Sequence, residues 1–147
     1  MITEDYVSFE TAKLLKEKGF DGRCYKVWEK RYGSEPTILA APVFVEGETT
    51  VDRESVDSAA KYMVNIYSLH NRVDGYLAPT IQMAMKWLRE VHNLWCEISP
   101  EGKGLWYREV YSLMDEEYIP NSNGHKIKSY EEACEAAIKY SVENLVK

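Results

Sequence analysis

The chain has 147 residues, 45% of them hydrophobic and 29% charged, with a formal net charge of −6. That length supports one domain over residues 1–147 with a core of its own. No apolar run approaches the roughly 20 residues of a membrane-spanning helix, and the acidic balance argues against general nucleic-acid affinity, which needs a basic footprint. Cys24, Cys96 and Cys134 are far apart and odd in number, which reads as reduced thiols in a cytoplasmic protein rather than a disulfide framework. Met1-Ile2-Thr3-Glu4-Asp5 has no apolar stretch of the kind a secretory signal carries.

Ser8 opens the first predicted helix. Val7 and Ala12 stand at the staple positions around it. Ala12 and Leu15 form the inner face, and Gly19 is the expected left-handed residue that lets Phe20 fold back on Leu15. Cys24–Trp28 and Thr37–Ala40 are predicted strands joined through a turn in Glu29–Glu35, with Val43-Phe44-Val45 as an extension past Pro42. Glu46–Asp57 carries five acids and reads as a solvated loop; it lacks the ligand order of an EF-hand. Val56, Ala59, Ala60, Met63, Val64 and Tyr67 predict a helix over 55–68, against a strand-like alternative at Val64–Tyr67. Asn71–Gly75 reads as loop.

Ala78–Asn93 is the stretch around which the chain is organised. Thr80 is the N-cap, and Ile81, Ala84, Met85, Leu88 and Val91 form one apolar stripe, with Trp87 off its centre. His92-Asn93 suits the helix end. The chain then alternates. Leu94, Cys96 and Ile98 share one face and Trp95, Glu97 and Ser99 the other. After the Pro100–Gly104 turn, Leu105, Tyr107, Glu109, Tyr111 and Leu113 oppose Trp106, Arg108, Val110 and Ser112. These runs predict a second hairpin. Asp115–Lys128 reads as a polar loop. Ser129-Tyr130-Glu131-Glu132 is a capping box opening a last helix, with Cys134, Ala137, Ile138, Ser141 and Leu145 inside and Glu135 paired with Lys139 outside. The expected fold is α+β, a mostly antiparallel sheet from two hairpins with three or four helices packed on one face.

No catalytic constellation stands out. His70, His92 and His125 have no metal-ligand spacing, and there is no GxSxG, GxGxxG or P-loop. Gly102-Lys103-Gly104 precedes no helix, and Cys134 lies on an apolar stripe beside Glu131 and Glu132. No catalytic residue, cofactor or metal ligand is therefore assigned. The unusual feature is the aromatic load of eleven Tyr, four Trp and three Phe. Trp95, Trp106 and Tyr107, with Arg108 beside them, are the candidate binding residues, for a protein partner or for self-association. The plainer reading is that these rings fill the core and its rim. Two other readings stay open: an enzyme whose pocket is assembled by the fold, and a single-strand nucleic-acid binder that gathers Lys26, Lys30, Arg31 and Arg108 beside exposed rings.

Three strings, Ser8–Phe20, Ala78–Asn93 and Ser129–Ala137, together resemble short uncharacterised proteins of gut Bacteroides-type bacteria and of their phages or prophages. The resemblance covers three helices, under half of the chain. It implies a mobile-element setting and a cytoplasmic location. It carries no activity, so it transfers no catalytic residue, and Glu46–Asp57 has no counterpart in it.

Overall fold

The structure, a computed structural model, describes residues 4–40, 60–65 and 73–147. The expectations for Val43–Val45 and Glu46–Asp57, and for the two ends of the helix over 55–68, lie outside the described residues.

Helix α1 (Phe9–Glu17) begins as its cap dictates: Ser8 Oγ accepts from the Thr11 N–H at 3.2 Å. It stops at Gly19, whose φ is +84°. The Gly19 N–H donates to Lys16 O and the Phe20 N–H to Leu15 O, a Schellman end that turns Phe20 into the core. Strand β1 (Lys26–Arg31) pairs antiparallel with β2 (Thr37–Ala40) on one side and with β3 (Val73–Leu77) on the other. Two sequence expectations are corrected here. β1 runs on through Glu29, Lys30 and Arg31, and β3 occupies part of the stretch read as loop. Asp74-Gly75 has turn composition, but the second edge of β1 supplies backbone partners, and pairing overrides local preference. Residues 60–65 are helical (α2) and bury Ala60 against Val27.

Helix α3 (Ile81–His92) is capped by Thr80 Oγ1, which accepts from the Met83 N–H at 3.1 Å. It ends at Asn93, in the left-handed region with φ +57°. Its buried stripe is rotated from the expected one. Trp87 is 6% exposed, edge-to-face with Phe20 and His92, whereas Val91 is 57% exposed. A large ring with two aromatic neighbours outcompetes a valine for the core side.

The second sheet is antiparallel throughout. β4 (Leu94–Gly102) pairs with β5 (Leu105–Ser112) across Lys103-Gly104, both at positive φ as a two-residue hairpin turn requires. Asp115–Lys128, read as loop, contributes β6 (Glu117–Tyr118) and β7 (Gly124–Ile127), which share the far edge of β5. Between them Ser122 stands in for a strand. Its buried hydroxyl accepts from the Val110 N–H at 3.0 Å and donates to Ile119 O at 2.7 Å.

Helix α4 (Tyr130–Asn144) starts at Ser129, whose Oγ accepts from the Glu132 N–H at 3.1 Å. It packs on β4 and β5 and against α1 and α3. The core between them holds Leu15, Leu88, Val110, Cys134, Ile138 and Val142; each large aliphatic side chain shut away here contributes roughly 1.5–3 kcal/mol. Glu135 does not pair with Lys139. Its Oε1 accepts from the Ser8 N–H (3.0 Å) and the Thr11 hydroxyl (2.6 Å), so α4 helps cap α1, and Lys139 meets Glu10 instead. The fold is α+β with antiparallel sheets. No described helix is long and apolar enough to cross a membrane.

Candidate functional site

The period-two alternation of β4 and β5 sorts the aromatic residues onto two sides of the second sheet. Leu94 and Cys96 with Val110 and Ser112 face the helices and are buried. Trp95, Glu97 and Ser99 stand opposite Tyr111, Glu109 and Tyr107 on the outer face, which lies outside the core and borders α3 along β4. β6 adds Tyr118 beside Tyr111, their rings edge-to-face at 5.1 Å, and β7 adds His125, its ring 4.8 Å from that of Tyr107. Trp95 and Tyr118 are 42% and 45% exposed, and Tyr107 and Tyr111 are half-buried.

At the centre of this face, Glu97 and Glu109 are directly opposite one another. The Leu113 N–H donates to Asn93 O at 2.8 Å. By antiparallel alternation, Glu97 and Glu109 are then also a pair that exchanges backbone bonds, with Cα atoms about 5.5 Å apart. Each carboxylate takes one phenol: Tyr118 donates to Glu97 Oε2 at 2.6 Å and Tyr107 to Glu109 Oε2. Holding a phenolic proton against a carboxylate makes ionisation harder. The Tyr107 hydroxyl is pushed up to about 12 chiefly by its bond to Glu109, and that of Tyr118 is raised chiefly by its bond to Glu97. Among the described residues no Lys or Arg forms an ion pair with either carboxylate. The nearby Arg89 guanidinium lies over the Trp95 ring, 5.9 Å from its centroid.

The four candidate residues thus separate. Trp95 and Tyr107 belong to the outer face. Trp106 and Arg108 belong to the inner one. Trp106 packs edge-to-face on Tyr130 at the start of α4, at 5.4 Å. Arg108 lies under α4, over the Tyr140 ring at 5.1 Å, and donates through Nη1 to Ser122 O. It also covers Gly124, where an added Cβ would sit 2.7 Å from its Nε. Arg108 therefore fastens β7 and Ser122 to the sheet. Tyr118, Glu97 and Glu109 were not among the candidates. The alternation had placed Glu97 with Trp95 and Glu109 with Tyr107; joining the two rows needed the register that the Lys103-Gly104 turn sets.

The basic residues of the nucleic-acid reading do not converge. Lys26, Lys30 and Arg31 sit on β1 in the first sheet, away from the sheet that holds Arg108. Cys96 and Cys134 are buried, and burial pushes both thiols up, Cys96 to about 12. His92 is packed on Trp87, and burial lowers its pKa. His125 meets Glu101 at 2.8 Å on the exposed end of the sheet. A groove of about 510 Å³ between α3 and β4 is lined by Met85, Arg89, Trp95, Cys96, Glu97 and Tyr130 among others; no described histidine reaches it, and its one cysteine is the buried Cys96 beside Glu97. No group of three or more metal-ligating side chains occurs among the described residues. In comparison with known proteins, the chain matches no family model, no curated protein and no solved structure.

Proposed function

We propose that the chain is a small, cytoplasmic, non-enzymatic binding or accessory protein whose contact surface is the outer face of the second sheet. The observation that carries this reading is the grouping of Trp95, Tyr107, Tyr111 and Tyr118 on a sheet face outside the core, where Trp95 and Tyr118 stay exposed. Rigid amphipathic rings supply contact area at low entropic cost, which is why they dominate protein interfaces. The acid pair at the centre repels phosphate, which favours a protein partner over a nucleic acid. It also opposes self-association through this face, because a second copy would bring four carboxylates together. Three buried cysteines, an odd number far apart in the chain, suit a reducing compartment. A phage or prophage setting rests on the resemblance of the three helices alone.

Site-specific photo-crosslinking in cells tests the reading. A photoreactive residue at Tyr111 or Tyr118 should give discrete protein adducts, and one at the exposed Lys13 on α1 should not. The absence of outer-face adducts, or the same products from Lys13, would overturn it.

A further inference from the structure

The outer face carries a conflict that its fold does not require. Like charges directly opposite each other in an antiparallel pair are destabilising, yet Glu97 faces Glu109. Each spends Oε2 on a tyrosine hydroxyl, and among the described residues nothing donates to either Oε1. We infer that this pair, walled by Trp95, Tyr107, Tyr111 and Tyr118, is the seat for one arginine side chain of the protein partner. The inference rests on the outer face being the contact surface, and it names what that surface recognises.

Charge complementarity fixes the sign of the occupant, and geometry selects the side chain. Two carboxylates on Cα atoms about 5.5 Å apart lie within the span of one planar guanidinium fork. The same plane can lie against a tyrosine face, where the ring quadrupole adds attraction. An ammonium is a more strongly hydrated point charge and offers neither the fork nor the stacking surface. The phenols sharpen the site. By donating to Oε2, Tyr107 and Tyr118 hold the two carboxylates in place and leave their other oxygens for the incoming donors. The seated guanidinium relieves the repulsion that the free protein tolerates, so the site is a place where stability is spent on binding.

The test uses the whole protein and three capped peptides of the form Ser-Gly-X-Gly-Ser, with X arginine, lysine or the uncharged arginine isostere citrulline. Binding is followed by NMR shifts of the outer-face tyrosine rings. Arginine should bind most tightly, lysine more weakly and citrulline about tenfold or more below arginine, the loss of one charge-assisted pair. The double variant Glu97→Gln/Glu109→Gln should lose the preference. Without any ligand, Glu97→Gln alone should raise the thermal midpoint by roughly 1–3 °C, because the amide still accepts from Tyr118 while the repulsion is gone. Equal binding of arginine and citrulline, a double variant that still prefers arginine, or a lower midpoint for Glu97→Gln would each overturn the seat. Crosslinks from Tyr111 and Tyr118 that persist in the double variant would overturn the seat and leave the contact surface standing. The absence of crosslinks even in the native sequence would remove both.

Discussion

Glu135 gives the most direct test of how the helices are held together. Its Oε1 accepts from the Ser8 N–H at 3.0 Å and from the Thr11 hydroxyl at 2.6 Å, and Thr11 is fully buried. Glu135→Ala leaves that hydroxyl with Ser8 Oγ alone, at 3.2 Å, and strips a carboxylate from the N-terminus of α1. A hydrogen bond to a charged group is worth about 1.5–3 kcal/mol. Two facts pull the sum down. The Ser8 N–H is exposed and regains water, and Glu135 Oε2 is itself buried with no partner among the described residues, so part of the gain already offsets desolvation. We therefore expect a loss of about 2 kcal/mol, which for a chain of this size is roughly 4–8 °C in the thermal midpoint. Glu135→Gln keeps an acceptor oxygen and should lose less than half of that. Urea and thermal unfolding followed by circular dichroism measure the loss, and a cycle with Thr11→Val isolates the coupling, expected near 1 kcal/mol. A Glu135→Ala variant within about 0.5 kcal/mol of the native protein, or a cycle with no coupling, would refute the claim that α4 caps α1.

Ser122→Ala removes the only hydroxyl that serves Val110 in place of a strand among the described residues, and should cost about 1–3 kcal/mol by urea unfolding, the price of a buried unpaired N–H. Ser122→Thr, which keeps the hydroxyl, should cost less. Tyr107 titrates near 12, above the value near 10 of an unfolded tyrosine, so its bond to Glu109 contributes stability that is present below about pH 10 and lost as pH rises towards 12. Phenolate absorbance should show a late-ionising group that returns towards pH 10 in Glu109→Gln; an unchanged late phase would count against the assignment. Cys24, Cys96 and Cys134 should resist a thiol reagent in the native state and react together in denaturant, since all three are buried. Rapid native labelling of any one would contradict the packing.

Much of this fold is written in local chemistry. Ser8, Thr80 and Ser129 mark three helix starts, and Gly19 and Asn93 mark two ends, because caps satisfy backbone groups within a few residues of themselves. The two faces of the second hairpin follow from strict alternation. What escaped the local reading depends on distant partners. β3 is a strand because β1 has a second edge to fill, β6 and β7 because β5 does, and Glu135 turns from Lys139 to Ser8 and Thr11 because α1 lies beside α4. The site divides the same way. Trp95 and Tyr107 could be found from composition and spacing. Arg108 looked like a contact residue because a surface cation and a buried anchor are the same letter until Tyr140, Ser122 and Gly124 are placed around it.

The two sheets differ in how far their strands are apart along the chain. β4 and β5 are joined by a two-residue turn and flanked directly by α3 and α4, so the second sheet and its helices assemble from near neighbours. β1 must instead wait for β3, which lies beyond the whole acid-rich stretch. Closing that loop carries an entropic cost before any contact rewards it, and such pairings form late. During synthesis β1 and β2 therefore leave the ribosome with an edge of β1 still unclaimed, and that edge, rather than the aromatic sheet, is where nascent chains would stick to one another.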